Sequence, residues 1–396
     1  MSVQPQQLPI HDAPAPDASP QRVWLSQAQL ARDLAIPDLT DPADGPHAIQ
    51  QLAELAVGSL ASTWNEAATQ RCEVRWCRGP RVVPIADNYD CLGYDQADIT
   101  RAARYTRYVD DQRMLRSHAS ALVPSALRQL AVERADDVLL ACPGITYRRD
   151  AIDWQHTGTP HQLDLWRISR RQLGLADLDQ MIAVLLDALV PGLRSQVVRR
   201  RHPYTTGGRE IGVWNGTDWV EIWECGLAHP EVLSRAGLRG YAGLALGMGL
   251  DRLLMLRKGI PDIRLLRTAD PKAASQMQDL TPYRPVSRQP AMRRDVSVAV
   301  DSGEDAETLG DRIRAALGPD ADAVEDVSVL SSTGLADLPA AAVTRLGLQP
   351  GQRNMLLRIV LRRLDRTLTD AEANMLRDRI YAAIHRGSQQ EWAVTW

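Results

Sequence analysis

The sequence predicts an α+β protein: a large unit built on an antiparallel sheet, then a smaller ferredoxin-like βαββαβ unit. Three observations carry this expectation. Segments 71–78, 138–147, 161–168, 209–214 and 218–224 are rich in strand formers, and several alternate with the period of two of half-buried antiparallel strands. Leu175, Leu178, Met181, Ile182, Leu185, Leu186 and Leu189 make an apolar stripe at the 3.6-residue spacing of a helix. Beyond Pro285 the pattern reads strand 295–300, helix 305–317, strand 324–330, strand 354–361, helix 370–384 and strand 392–396, the order of a ferredoxin-like sandwich. Strands interleaved irregularly with helices suit an α+β arrangement rather than alternating βα units.

In chain order, residues 1–22 are rich in Pro, Gln and Ala and too poor in large apolar residues to fold alone. The flexible N-terminal tail is drawn through residue 35, the large unit spans 36–284, and the ferredoxin-like unit spans 285–396. A helix is expected at 46–65, with Pro46 suited to its first turn. Helix 370–384 is announced by Thr369-Asp370-Ala371-Glu372, a capping-box pattern.

Composition narrows the function classes. A length of 396 residues suits two or three domains with a real core. A formal net charge of −3 argues against binding nucleic acid through a bulk positive field, though not against a local patch. In the second unit, nine acids face two arginines over 301–326, whereas eight arginines face four acids over 353–386. That basic half reads either as a solvated helix face or as a phosphate-contacting surface. No apolar run is long enough to span a membrane, and no secretory signal layout opens the chain, so a cytoplasmic protein is the default. Cys72, Cys77, Cys91, Cys142 and Cys225 form no CxxC pair or zinc spacing and read as buried thiols.

Two segments carry chemistry. Cys142–Asp150 (CPGITYRRD) ends a strand in paired arginines, and a polar loop returns through His161, Gln162 and Asp164. Residues 243–256 (GLALGMGLDRLLML) run glycines directly into an apolar helix with Arg252 in its first turns. Each alone reads as exposed arginines or a close-packed helix start. Together, a strand arginine and a helix arginine on one antiparallel sheet can grip the α- and γ-phosphates of a bent ATP, because the planar guanidinium fork pairs with phosphate oxygens. In-line attack by a carboxylate on the α-phosphorus then needs positioning and charge neutralisation rather than a side-chain nucleophile. No Walker A loop or dinucleotide glycine fingerprint is present.

On these residues the chain resembles the class II aminoacyl-tRNA synthetases, specifically the single-chain, mitochondrial-type phenylalanyl-tRNA synthetases, from about Asp38 to Trp396. The resemblance implies a class II catalytic core over 36–284 and a C-terminal ferredoxin-like anticodon-binding domain. It implies ATP and Mg²⁺ as cofactors, tRNA (tRNA-Phe) and an amino acid as partners, no membrane, and a monomer. RSHAS at 116–120 resembles RTHTS, which nominates His118 and Ser120 for the amino acid. YRRD at 147–150 resembles motif 2, giving Arg148 the α-phosphate and placing Asp150 at the nucleotide. His156 and Thr157 resemble the loop over ATP; HQLD at 161–164 resembles HQxE, so Gln162 and Asp164 would hold the substrate ammonium. WVEIWECG at 219–226 resembles WLEVLGCG, nominating Glu221 near the nucleotide and its Mg²⁺. GMGLDR at 247–252 resembles motif 3, giving Arg252 the γ-phosphate.

The departures from the resemblance concern the amino-acid pocket. Asp164 replaces a glutamate, shortening the reach of the charge. His202, Pro203, Tyr204 and Thr205 stand for FPFT, whose aromatic pair packs around the substrate ring. Ala245 stays small, but its aromatic neighbours have become Leu244 and Leu246, and Val123 stands where glutamine is common. Losing two or three aromatic edge contacts, about 0.5–1.5 kcal/mol per pair, changes selectivity by orders of magnitude unless something compensates. The leading expectation is therefore ATP-dependent activation of phenylalanine and its transfer to tRNA. The other readings are a paralogue activating a different or modified amino acid for a specialised acceptor, and a catalytically silent regulator that binds amino acid or tRNA.

Arginine outnumbers lysine 44 to 2, and phenylalanine is absent while ten Trp and nine Tyr remain. An enzyme that supplies phenylalanyl-tRNA but needs none for its own synthesis can be translated when that tRNA is uncharged. The expected outcome is that its level rises under phenylalanine starvation or synthetase inhibition. Quantitative proteomics across such a treatment checks this, and an unchanged level overturns it.

Overall fold

The computed structural model describes residues 24–66, 71–285 and 290–389. The described strands are β1 (Glu73–Trp76), β2 (Val82–Pro84), β3 (Arg113–Leu115), β4 (Asp137–Ile145), β5 (His161–Ser169), β6 (Ser195–Arg199), β7 (Thr205–Trp214), β8 (Trp219–Ala228), β9 (Ala242–Gly249), β10 (Met292–Asp301), β11 (Val324–Gly334) and β12 (Gln352–Leu361). Seven of them form one sheet in the order β1-β4-β5-β9-β8-β7-β6, antiparallel throughout except for the parallel β1/β4 edge. The α+β expectation with a large, mostly antiparallel sheet holds.

Alternation assigns the two faces of this sheet. Leu163 and Leu165 on β5, Leu244, Leu246 and Met248 on β9, and Trp223 and Cys225 on β8 all point to one side. There they meet helices Ala48–Glu66, Leu175–Leu189 and Leu250–Lys258 through Leu52, Leu60, Met181, Leu185 and Leu253. Each such leucine contributes about 1.5–3 kcal/mol on leaving water, so this face holds the main core. The opposite face is covered in part by helix Val123–Glu133, through Leu127 and Leu130 on Leu140, Trp166 and Ile168. The rest of that face stays open and forms a cavity.

Elements absent from the sequence expectation are explained by small or cap-like residues. Strand β9 carries Gly243, Gly247 and Gly249, which suppress the strand signal. At Gly243 a Cβ would sit 2.9 Å from the Ala228 side chain and 3.0 Å from the Arg167 carbonyl. Pro46 lies before the helix rather than in it; the His47 ring accepts from the Ile49 amide at 3.1 Å and supplies the start. Burial lowers the His47 pKa to about 4, which keeps the ring neutral and able to accept. The flexible tail drawn to residue 35 is corrected in part: Gln27–Leu34 is a helix with a capping box between Ser26 and Gln29, while residues 1–23 lie outside the described residues. Cys72, Cys142 and Cys225 are buried as expected, but Cys77 and Cys91 are only partly so.

The C-terminal unit forms a three-stranded antiparallel sheet, β10-β12-β11, backed by helices Ala306–Leu317 and Asp370–Ile384. The closing strand expected at 392–396 lies outside the described residues. This unit seats on the loop after β4. Ile152 of that loop is buried in the C-terminal core, and its carbonyl accepts from the Val327 amide at 2.9 Å. Arg314 donates to the Asp150 and Ala151 carbonyls, and Arg107 bridges Asp33 and Asp311 at 2.8 Å each. Gly310 permits the approach, since a Cβ there would stand 2.5 Å from the Asp150 carbonyl oxygen. No helix among the described residues is long and apolar enough to cross a membrane.

Arg314→Ala would leave two carbonyls without their donor, at about 1–3 kcal/mol of lost stability. The expected outcome is a lower urea midpoint together with faster hydrogen exchange of amides 150–157. Unchanged exchange in that loop overturns the docking role.

Candidate active site

The open face of the sheet carries a cavity of about 570 Å³. Its roof is the hairpin joining β4 to β5, held by Thr146 N to the Pro160 carbonyl at 2.8 Å and Arg148 N to the Gly158 carbonyl at 2.9 Å. Into this cavity the fold brings His118, Ser120, Arg148, Asp150, His156, Thr157, Gln162, Asp164, Tyr204, Glu221 and Arg252, residues drawn from distant parts of the sequence.

The two arginines differ from the many in ion pairs elsewhere. Arg148 donates from Nε to the Ser117 carbonyl at 2.8 Å, which aims the guanidinium, and its terminal nitrogens have no protein partner among the described residues. Arg252, in the first turn of helix Leu250–Lys258, has no protein hydrogen bond or ion pair among the described residues. Two unpaired guanidiniums facing one cavity leave donor forks for an anionic ligand. At the roof, His156 Nδ1 lies 2.5 Å from Asp153 Oδ2, and Thr157 accepts from the Thr159 amide at 3.4 Å.

The helix bearing Arg252 is fixed by its neighbour. Asp251 accepts from the His161 amide at 2.5 Å and from its ring Nδ1 at 2.9 Å, both buried. Burial alone would raise the Asp251 pKa, but His161 brings it below the usual carboxylate range. Next along β5, Gln162 Oε1 accepts from the Ala119 amide at 3.0 Å, tying β5 to the turn carrying His118 and Ser120.

His118 stacks on Tyr94 with ring centroids 5.6 Å apart. Burial, then Arg148, pushes its pKa down to about 3, so the ring is neutral, and its Nδ1 is buried with no protein partner among the described residues. Asp164 is buried beside the Ser120 hydroxyl and the Trp166 indole. Burial pushes its pKa up to about 7, with Glu224 adding to the rise. Glu221 is raised as well, by burial and by Glu210 and Glu224, against Arg252. A cation beside Glu221 would relieve that repulsion, and Mg²⁺ is commonly held by one or two carboxylates plus phosphates.

Five residues compared with the substrate pocket do not line the cavity. Leu244 and Leu246 point to the opposite face, into the main core, because β9 presents Ala245 and Gly247 to the site side; their assignment to the substrate pocket is corrected. Ala245 faces the site side but is buried against Trp166 and Tyr204. His202 lies behind the wall, stacked near Tyr204 at 6.2 Å. Val123 is fully buried in the same cluster.

Tyr94 and Glu224 line the cavity without having been nominated. Tyr94 lies in an irregular segment with no pattern to flag it. Glu224 was visible as a glutamate at a glycine position of WLEVLGCG. Its direction was not, because a bulge near Ile222 sends both Ile222 and Trp223 into the core and puts Glu221 and Glu224 on the same face.

Residues 67–277, just over half the chain, match the family of the class II core domain of tRNA synthetases (F). The chain belongs to that class II synthetase family. It is 27% identical over 313 residues to the chloroplastic/mitochondrial phenylalanine-tRNA ligase of Arabidopsis thaliana, covering 76% of this chain and 68% of the relative. It is 27% identical over 365 residues to a probable mitochondrial phenylalanine-tRNA ligase of Drosophila melanogaster, covering 76% and 75%. It is 32% identical over 244 residues to the phenylalanine-tRNA ligase alpha subunit of Mycobacterium avium, covering 59% and 67%. The organellar names of the first two overturn the cytoplasmic expectation. Class II synthetases use ATP and Mg²⁺ generally, and the unpaired arginines and Glu221 of this class II core fit both.

An ammonium ligand needs Asp164 ionised. Its raised pKa means that the empty site gains a proton as pH falls through about 7. The expected outcome is that kcat/KM for the amino acid falls about tenfold per unit on the acid side of that value, with kcat less affected. Asp164→Asn should remove that limb of the profile; a limb that persists in the variant overturns the assignment.

Proposed function

We propose that this chain is a phenylalanine-tRNA ligase that activates its amino acid with ATP and transfers it to tRNA. The observation carrying this is the pair of unpaired guanidiniums, Arg148 and Arg252, lining one cavity that also holds Gln162 and Asp164. Gln162 and Asp164 bind the ammonium, which leaves the substrate carboxylate directed toward Arg148. That carboxylate oxygen attacks the α-phosphorus of ATP while the bond to the β-phosphate oxygen breaks and pyrophosphate leaves. Arg148 offsets the charge growing on the α-phosphate oxygens, and Arg252 holds the γ-phosphate so that the nucleotide stays bent. Mg²⁺ supplies further neutralisation of the phosphates when bound, and Glu221 is the residue that would hold it. A ribose hydroxyl at the tRNA 3′ end then attacks the adenylate carbonyl, and AMP departs.

The C-terminal unit, 285–396, is read as a ferredoxin-like anticodon-binding domain. Its order of strands and helices and the basic half over 353–386 support that reading, with both units in one chain working as a monomer. A second reading, activation of a modified amino acid for a specialised acceptor, is favoured by one observation: the carboxylate at position 224.

Arg148→Ala and Arg252→Ala should each lower amino-acid-dependent pyrophosphate–ATP exchange by about 10²–10³-fold, with an unchanged circular dichroism spectrum. Normal exchange in either variant overturns the phosphate assignment.

A further inference from the structure

Three register positions lie side by side on the site face: Asp164 on β5, Gly247 on β9 and Glu224 on β8. Residues paired across adjacent strands project to the same face, so two carboxylates flank a glycine. Strands two apart in a sheet are separated by about 10 Å. The glycine keeps the floor between them open: a Cβ there would stand 3.4 Å from Asp164 Oδ1 and 3.6 Å from the Tyr204 hydroxyl. Asp164 is accounted for by the substrate ammonium. Glu224 is not.

Glu224 does not stand alone. Its Oε1 accepts from the Tyr204 hydroxyl, and its Oε2 lies 2.9 Å from His202 Nε2. His202 and Tyr204 occupy the two aromatic positions of FPFT, and Glu224 occupies the glycine of WLEVLGCG. These three departures from the resemblance thus form one polar cluster, with Tyr204 hydrogen-bonded to Glu224 and the His202 ring within ion-pair distance of it. A chain that merely replaced phenylalanines would have no reason to place a carboxylate on β8 to receive both replacements. The cluster is polar where a phenyl ring would be expected to pack.

We propose that Glu224, held by His202 and Tyr204, makes this pocket select an aromatic amino acid whose ring bears a hydrogen-bond donor, an amino or hydroxyl group, over phenylalanine itself. The proposal rests on the adenylation chemistry above and develops its second reading, in which the amino acid is a ring-substituted one rather than phenylalanine. Glu224 keeps 32% of its side chain exposed, and it lines the cavity. A carboxylate offers about four lone-pair sites, of which the Tyr204 hydroxyl uses one. Burial would push its pKa up, but His202, Tyr204 and Arg148 hold it below the usual value, so the group that meets the ring is an anion. A bare phenyl ring would strip water from that anion and return no hydrogen bond. A ring hydroxyl or amine returns one. Sites built to bond such a group reject the analogue lacking it by up to about 10⁴–10⁵-fold. The ammonium at Asp164 and the ring donor at Glu224 then anchor the two ends of the substrate.

The test is pyrophosphate–ATP exchange with phenylalanine, tyrosine, 3-aminophenylalanine and 4-aminophenylalanine, on the full chain and on Glu224→Gly, Glu224→Gln and Tyr204→Phe. Thermal shifts with the same amino acids run in parallel. The expected result is a kcat/KM at least tenfold higher for one of the donor-bearing rings than for phenylalanine. That ratio should collapse or invert in Glu224→Gly. Where Glu224→Gly does not fold, Glu224→Gln and Tyr204→Phe should each shrink the ratio. A native preference for phenylalanine, or a ratio unchanged in the folded variants, overturns the proposal. Exchange with no amino acid at all would refute the adenylation reading instead, and the thermal shifts then decide. Larger shifts with donor-bearing rings, lost in Glu224→Gln, sustain the selectivity; equal shifts overturn it.

Discussion

Burying the Asp251 carboxylate inside a folded core is tolerable because His161 meets it twice, from its backbone amide and from its ring. An unpaired charge at that depth would cost several kcal/mol. The pair joins the first residue of β5 to the first turn of helix Leu250–Lys258, and the other ring nitrogen of His161 reaches the Leu39 amide at 3.2 Å and the Arg267 guanidinium at 2.9 Å. Asp38, one residue earlier, accepts from the Ile145 amide at 2.9 Å at the end of β4. One buried polar network therefore sets β4, β5, the helix start and the segment at 38–40 relative to each other. Arg148 leaves the end of β4, Gln162 and Asp164 follow His161, and Arg252 follows Asp251. The geometry of the cavity is inherited from this junction.

Electrostatics divide the cavity into two ends. Toward the roof, Arg148 and Arg252 present guanidiniums without protein partners, an arrangement suited to an anion that supplies the missing oxygens. Toward the floor, burial pushes up both carboxylates, and their partners decide the outcome. Asp164, with a hydroxyl and an indole for company, is pushed up to about 7, whereas Glu224, with His202 and Tyr204, is held down. The same sheet face thus offers one carboxylate poised near neutrality and one firmly charged, separated by a single glycine.

Much of this was legible in the chain. Helices Leu175–Leu189 and Asp370–Ile384 appear where their apolar spacing and capping box place them, because local periodicity and capping are local physics. The motif arginines, Gln162 and Asp164 were legible by resemblance, and the fold gathers them into one cavity. Strand β9 was missed because its glycines look like a loop, although neighbouring backbone and side chains leave no room for a Cβ at Gly243. Leu244 and Leu246 were misassigned because a motif says which residues are near a site but not which face they take. Glu224 was overlooked because its direction depends on a bulge that sequence parity does not anticipate.

The sequence by itself determined the α+β class, the family, the principal helices and the identities of many charged residues that line the cavity. Those follow from short-range spacing, capping and residue chemistry. Only the tertiary structure decided which side chains share a face, that Glu224 joins His202 and Tyr204, and that the loop at Asp150–Ile152 carries the C-terminal unit. These depend on strand register, a bulge and the desolvation of groups far apart in the chain, and such quantities exist only once the sheet has formed.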